Sequence, residues 1–223
     1  MRVLVISSDR KVFEKGSAVR SRLLDYGRLA DELHVIVFAK KALGFQDEVI
    51  QPNIFLYSTN SLGKFFHIPH AILCALKLKR RGVAIDVVTT QDPFEAGLAG
   101  YIIARILKAR LHIQIHTDVM SSYFAHESIL NQARVILAKF LIPHANAIRV
   151  VSERIKNSLS TFNIQHSIIT VLPILTETKN RPHAFDLKKK YPQFDFHILV
   201  ASRLSREKNI GSAVESMRSV VSA

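Results

Sequence analysis

Short β-branched runs alternate along this chain with longer segments of helical period, and that alternation restricts the fold more than any single motif does. The runs fall at 3–6, 34–38, 54–57, 86–90, 111–116, 147–151, 168–172 and 196–201. Amphipathic stretches lie between most of them, at about 65–80, 95–108, 128–142 and 153–162. The clearest carries Val19, Leu23, Tyr26, Ala30 and Leu33, spaced 4, 3, 4 and 3 along one helical face. Strands separated by helices in this way imply βαβ crossovers: an α/β, Rossmann-like, doubly wound parallel sheet with helices on both faces. The strands read as near-continuous apolar runs, as strands buried on both faces do. Pro69 falls in the first turn or so of its helix, where proline is tolerated.

Size and composition narrow the class further. With 48% hydrophobic and 22% charged residues, the 223-residue chain has the makings of a packed core, which excludes disorder. The lone Cys74 excludes an internal disulfide framework and suits a reducing compartment. The longest apolar stretch, 96–104, is about half of the ~20 residues that span a bilayer. Met1-Arg2 leads straight into the first strand, so no secretory signal is expected, and the reading is a cytoplasmic α/β protein. A break follows Leu172: residues 173–194 hold three prolines, the cluster Lys188-Lys189-Lys190 and little apolar period. The expected organisation is a domain over 1–174, a linker over 175–194 with a short helix near 186–191, and the start of a second Rossmann-like domain over 195–223. That last unit comprises the 196–201 strand and a helix at about 208–221. So short a unit cannot bury a core of its own, so the chain reads as a fragment.

Lys and Arg outnumber Asp and Glu by 31 to 18, a net charge of +13. The field attracts polyanions, from nucleic acid to anionic lipid and phosphorylated small molecules, and its dispersal along the chain does not choose among them. Within it, residues 64–81 carry cations and no acids around an apolar centre, which suits an anionic membrane surface. Taken alone, a packed helix with a dipole-matched basic C-terminus is the better reading of that segment.

In an open parallel sheet, ligands sit beyond the carboxyl ends of the strands, near the point where strand order reverses. After the first strand come Ser7-Ser8-Asp9-Arg10-Lys11 and then Gly16-Ser17, opening a helix with Arg20 one turn in. Free backbone N–H groups there suit an anion, although taken alone an ordinary serine cap with a glycine turn is the better reading of the segment. No G-x-G-x-x-G or Walker pattern is present, and the second strand ends in Lys40-Lys41 where a nicotinamide enzyme places an acid. Such a cofactor is therefore disfavoured. The strand at 111–115 exits into His116-Thr117-Asp118, a pair able to bond sugar hydroxyls or orient a nucleophile; a backbone-bonded histidine with an Asx turn is the alternative. His112 and His116 lack a third ligand in the sequence pattern, so no metal is expected. Asp92-Pro93 and Glu95 read as a turn and a first-turn acid, Ser152-Glu153 as a cap. Residues 201–210 follow a strand and lead into a helix; there Arg203 and Lys208 can converge on a diphosphate near a helix N-terminus.

Taken in order, five of these pieces resemble family four of the retaining glycosyltransferases, with the two-Rossmann-domain GT-B fold. They are the opening strand with Gly16, Gln91-Asp92-Pro93, the strand 113–118, Val150-Val151-Ser152-Glu153, and the loop from Ser202 to Lys208. The resemblance implies that Arg203 and Lys208 hold the diphosphate of a nucleotide-sugar donor and stabilise its departure without a metal or other cofactor. It implies that Gly16 lets the backbone approach donor and acceptor, that His116 lies near the transferred sugar, and that Asp118 serves the acceptor side. Arg20 and Glu95 are further acceptor-side candidates. Ser202 and Asn209 stand where the family usually has glycines, and Pro173-Ile174-Leu175-Thr176 where its linker usually contains Asn-Gly. The family's E-x7-E carboxylate pair belongs beyond Ala223, so this chain alone is expected to transfer little or no sugar. The implied partners are a nucleotide-sugar and a glycan or lipid-linked acceptor in polysaccharide or glycolipid assembly, with peripheral attachment to the inner face of the plasma membrane. A non-catalytic nucleic-acid- or nucleotide-binding α/β module is the alternative. Against nucleic acid stand 8% aromatic residues and no tryptophan.

Overall fold

A computed structural model describes residues 1–162, 164, 168–174, 186–202 and 208–221. The chain divides into two units, Met1–Pro173 and Ile174–Ala223. In the first unit the order is β1 (Arg2–Ser7), α1 (Ala18–Gly27), β2 (Glu32–Val37), β3 (Glu48–Gln51), β4 (Ile54–Ser58), α2 (His67–Arg80), β5 (Val87–Thr90) and α3 (Glu95–Leu107). It continues with β6 (Arg110–Ile115), α4 (Ser122–His126), α5 (Ile129–Leu141), β7 (Ala147–Val150), α6 (Glu153–Ser158) and β8 (Ile169–Val171). The eight strands form one sheet in the order β3-β4-β2-β1-β5-β6-β7-β8. Every neighbouring pair is parallel except β3 with β4, whose antiparallel register shifts between Val49 and Gln51. β1 sends its chain to β2 on one side and has β5 on the other, so strand order reverses between β1 and β5.

Local chemistry accounts for the helix ends. Ser17, Ser128 and Ser152 sit in extended backbone and accept from the N–H three residues on, capping α1, α5 and α6. The apolar spacing that extends to Leu33 predicts a longer first helix than forms. The helix stops at Gly27, and Leu33 lies in β2 opposite Val3. The stop signal is not local: the Asn53 amide donates to Gly27 O at 2.8 Å and to Ala30 O at 3.1 Å, satisfying carbonyls at the helix end. In α3 the small residues have a packing purpose. A Cβ on Gly100 would lie 2.2 Å from Thr90 Cγ2, and one on Gly97 3.0 Å from Asp92 O, so glycine lets this helix settle directly on β5 and its exit loop.

Two hydrophobic cores flank the sheet. The larger runs from Leu4, Ile6 and Ile36 through Val88, Ile113 and Ile115 to Ile148, Val150 and Ile169, beneath α2, α3, α5 and α6. The smaller, built from Val12, Leu23, Leu33, Val35, Val37, Ile54 and Leu56, lies under α1 and covers β1, β2 and β4, with Ile50 of β3 packed against it. Along β5 to β7 the second face is polar. Thr89 Oγ1 and His112 Nδ1 are 2.7 Å apart, Gln114 Nε2 donates to Thr89 Oγ1 at 3.2 Å, and Arg149 Nη1 donates to Gln114 Oε1 at 3.4 Å. The expectation of apolar runs buried on both faces therefore holds for one half of the sheet and is corrected for the other.

In the second unit, α7 (Leu187–Lys190) is capped by the Asp186 carboxylate, and α8 (Ile210–Val221) follows. The strand expected over 196–201 does not form: Phe196, Ile198, Leu199 and Val200 are exposed and unladdered. A strand needs a neighbour to take its N–H and C=O groups, and the described residues of this unit supply none.

Candidate active site

The reversal between β1 and β5 places the crevice of this fold between the loops that leave those two strands. A hydrogen bond joins them there. Buried Ser7 donates from Oγ to Gln91 Oε1 at 2.7 Å while accepting from Asp9 N–H at 3.0 Å. Beyond it the Asp9 carboxylate caps a 3-10 turn, Arg10–Phe13, by accepting from Lys11 N–H. Gly16 follows at φ +82°, with nothing within 4 Å of where a Cβ would be. Glycine is required here by the left-handed backbone and not by crowding. Ser17 donates to Lys11 O at 2.6 Å and accepts from Arg20 N–H at 3.1 Å, which folds this loop back onto the start of α1.

On the other side of the crevice, Asp92 Oδ1 accepts from Phe94 N–H at 2.8 Å, and burial pushes its carboxyl above the usual range. The β6 exit supplies His116 and Asp118. His116 is solvent-exposed at the strand end, and its pKa is lowered by partial desolvation and then by the Arg149 charge, which keeps the ring neutral near pH 7. Asp118 differs in kind. Its Oδ1 is buried and has no hydrogen-bond partner among the described residues. A carboxylate oxygen removed from water without a donor is costly, so such an atom in native protein calls for an explanation. A ligand hydroxyl or amide arriving at the carboxyl edge would supply the missing donor.

Two sequence candidates are engaged elsewhere in the fold. The Arg20 guanidinium forms a fork with Glu48 at 2.9 and 2.5 Å, tying α1 to β3 and holding the Glu48 carboxyl below its usual range. Glu95 receives Arg134 Nε at 3.0 and 3.2 Å and Nη2 at 2.9 Å, joining α3 to α5. Among the described residues no three His, Cys, Asp or Glu side chains gather as a metal site would require. A cavity of about 450 Å³ lined by Val87, Arg110, Leu111, His112, Asn146 and Ala147 opens at the amino ends of β5 to β7, the opposite edge of the sheet from this crevice.

The sequence profile described as Glycosyltransferase Family 4 matches residues 26–178. The chain belongs to that family. A search of curated protein sequences finds no match. Among solved structures, the α/β fold of this chain has its counterparts in GT-B proteins. The lipopolysaccharide outer core galactosyltransferase WaaB in its apo form is 14% identical with a TM-score of 0.51, over 81% of this chain and 47% of that one. The UDP-GlcNAc 2-epimerase of Neisseria meningitidis bound to UDP-GlcNAc is 15% identical with a TM-score of 0.53, over 77% and 45%. That of Methanocaldococcus jannaschii is 17% identical with a TM-score of 0.50, over 77% and 45%. The match thus spans less than half the length of these neighbours.

Within this family member, Gly16, Gln91, His116 and Asp118 all lie at the carboxyl edge of the sheet, on the exits of β1, β5 and β6. Arg203 lies outside the described residues. Lys208 belongs to the second unit, just ahead of α8. The neighbouring Asn209 has φ +45°, and its Oδ1 accepts from Ser212 Oγ at 2.9 Å. Asparagine is among the few non-glycine residues that take this left-handed backbone readily, so it reproduces the conformation for which glycine is the usual choice. Sequence reasoning missed that Arg10, Lys40 and Lys64, from three separate segments, lie within electrostatic reach of His67 and, after desolvation, lower its pKa. Lys40 was visible only as a missing acid at the second strand's end.

Proposed function

We propose that this chain is the acceptor-side portion of a retaining glycosyltransferase that moves a sugar from a nucleotide-sugar to a glycan or lipid-linked acceptor. On this reading residues 1–174 form the acceptor domain, 175–194 the linker, and 195–223 the opening of a nucleotide-sugar domain. The observation that carries it is the buried, unpartnered Asp118 oxygen beside His116 at the carboxyl edge, in a chain of this family. As the anomeric C–O bond breaks, its electron pair leaves with the nucleotide diphosphate, where Arg203 and Lys208 meet the growing negative charge without a metal. The acceptor oxygen forms the new bond to the anomeric carbon and its proton passes to the departing diphosphate oxygen; before that step its O–H satisfies Asp118. Neutral His116 donates or accepts at a hydroxyl of the transferred sugar. Solved neighbours that bind UDP-GlcNAc support the nucleotide-sugar part of the reading. A cytoplasmic location, with peripheral contact to an anionic membrane and no role for nucleic acid, completes it.

Sugar transfer from a panel of nucleotide-sugars, by this chain and by a version extended through a second half, tests the proposal. The 223-residue chain is expected to be nearly inactive and the extended one active. In the extended protein, Asp118→Asn should lower kcat by about 10²-fold, and joint neutralisation of Arg203 and Lys208 by about 10³-fold. Full turnover with both cations neutralised would refute the diphosphate role. The epimerases among the fold neighbours favour a second reading, sugar-nucleotide epimerisation. Release of a C2-inverted nucleotide-sugar without any acceptor would establish it in place of transfer.

A further inference from the structure

Helix α5 is apolar on both sides, yet only one side is buried. The inner side packs through Ala138 and Leu141 into the larger core, with Asn131 buried beside them. At 3.6 residues a turn, Ile129, Ala133, Ile136 and Phe140 line up on the side opposite Ala138, spaced 4, 3 and 4 apart. Ile129 is 84% exposed, Ile136 70% and Phe140 48%; Ala133 is exposed as well, and so is Leu130 on the flank. One exposed apolar side chain is ordinary, but these form a continuous stripe roughly 16 Å long. Isoleucine and phenylalanine are poorer helix formers than lysine, glutamate or glutamine, so helix propensity does not account for them in water. A helix apolar all round is one that is covered on both sides.

Charge is sparse along this side. The helix carries two cations, and Arg134 is engaged by Glu95 and lies over the Phe94 ring, which leaves Lys139 at the border of the stripe. A helix that lies on a membrane brackets its apolar stripe with several lysines or arginines, and one lysine does not do that. The stripe is instead complementary to itself. Let a second copy lie antiparallel across it, with a two-fold axis passing between residues 134 and 135. Ile129 then faces the partner's Phe140, and Ala133 faces the partner's Ile136. Beside the axis each large side chain meets a small one, which lets the helices approach to about 8–10 Å, and their macrodipoles oppose. Phe140 is set for this contact: its ring meets Tyr101 edge-on with centroids 5.6 Å apart and lies 4.7 Å from that of His144.

We infer that two copies of this chain pair through α5 in an antiparallel, isologous interface. A helix face of this length buries roughly 600 Å² a side and about 1,200 Å² together, the lower end for a specific complex, so the dissociation constant is on the order of micromolar. The pairing is independent of the sugar-transfer reading and uses none of the residues assigned to it.

Sedimentation equilibrium of the 223-residue chain over a range of concentrations tests this. Leu199→Lys is carried throughout, so that the exposed segment 196–200 does not associate. A monomer–dimer equilibrium is expected, and it should tighten as salt rises, because screening reduces the repulsion between two strongly basic chains. Ile136→Glu should weaken it at least about 30-fold, since each new carboxylate would be buried without a partner, and Ala133→Lys should do the same. Leu73→Glu, exposed on α2, should leave it unchanged. Mixed in equal amounts, the Ile136→Glu and Ala133→Lys chains should pair again, because one new carboxylate then faces one new ammonium and the second Ala133–Ile136 contact is native. Each substituted side chain is exposed, so circular dichroism should show all the variants folded. A chain that stays monomeric at about 100 µM would overturn the pairing. So would a loss in Leu73→Glu as large as that in Ile136→Glu, or a mixture that fails to associate. A version extended through a second half should dimerise with the same sensitivity to Ile136→Glu; if it is monomeric, its own later residues cover α5 and the inference fails.

Discussion

The two halves of the sheet are made differently. From β4 through β2 to β1, apolar side chains face both ways, into the larger core on one side and into the α1 core on the other. From β5 to β8 only one face is apolar. The other carries Thr89, His112, Gln114 and Arg149 in a hydrogen-bonded row. The first half is stabilised by burial of area on two sides; the second depends on one core and a polar surface that contributes little net energy. A parallel sheet is thus not uniformly buried merely because it is parallel, and the polar half is where His116 and Asp118 emerge.

That contrast can be broken or sharpened by substitution. Leu56→Ala, fully buried in the smaller core, should cost about 3 kcal/mol in chemical denaturation. Gly100→Ala should cost about 2 kcal/mol, because its methyl would drive α3 off Thr90. A smaller loss there would mean that the singly covered half is pliant. Arg20→Ala should cost about 1 kcal/mol, since the remaining Glu48 is partly exposed and water replaces much of the lost partner. Each half also holds a histidine with a depressed pKa: His34 by burial, against the opposing pull of Glu32, and His112 by burial and then Arg149. A depressed histidine gives stability that is complete above its unfolded value, about 6.5, and is lost as pH falls through the lower folded value. Tm should therefore fall between pH 7 and 5, and His34→Gln/His112→Gln should flatten that fall. Gln114→Val should lie within about 0.5 kcal/mol of the parent. A loss as large as that of Leu56→Ala would show that the polar face is buried in solution and end the contrast.

Much of this was legible in the residues. The β-branched runs and their helical spacers correspond to β1, β2 and β4 to β8, and the caps read at Ser17 and Ser152 to the starts of α1 and α6. What escaped was non-local. The first helix ends because Asn53 reaches back to it, and β3 exists because β4 offers an edge, neither of which a local pattern carries. The polar face was written plainly in the alternation Leu111-His112-Ile113-Gln114-Ile115 and was overlooked in favour of the general rule for parallel strands. At the site, the exit of His116 and Asp118 from β6 follows from strand position alone. The isolation of Asp118 Oδ1, and the commitment of Arg20 and Glu95 to Glu48 and Arg134, depend on partners 28 and 39 residues away.

The sheet's margins bear on how the molecule behaves in a crowd. At one border the four-residue β3 is kinked by its register shift, and at the other β8 is three residues long, with Arg149 donating to the carbonyl of Leu172 just beyond it. Neither border offers a straight row of free amides long enough to template another copy, which guards against edge-to-edge polymerisation. The unladdered Phe196-His197-Ile198-Leu199-Val200 has no such protection. Edge-to-edge association of this chain at high concentration should therefore begin there, and a charge introduced at Leu199 should suppress it.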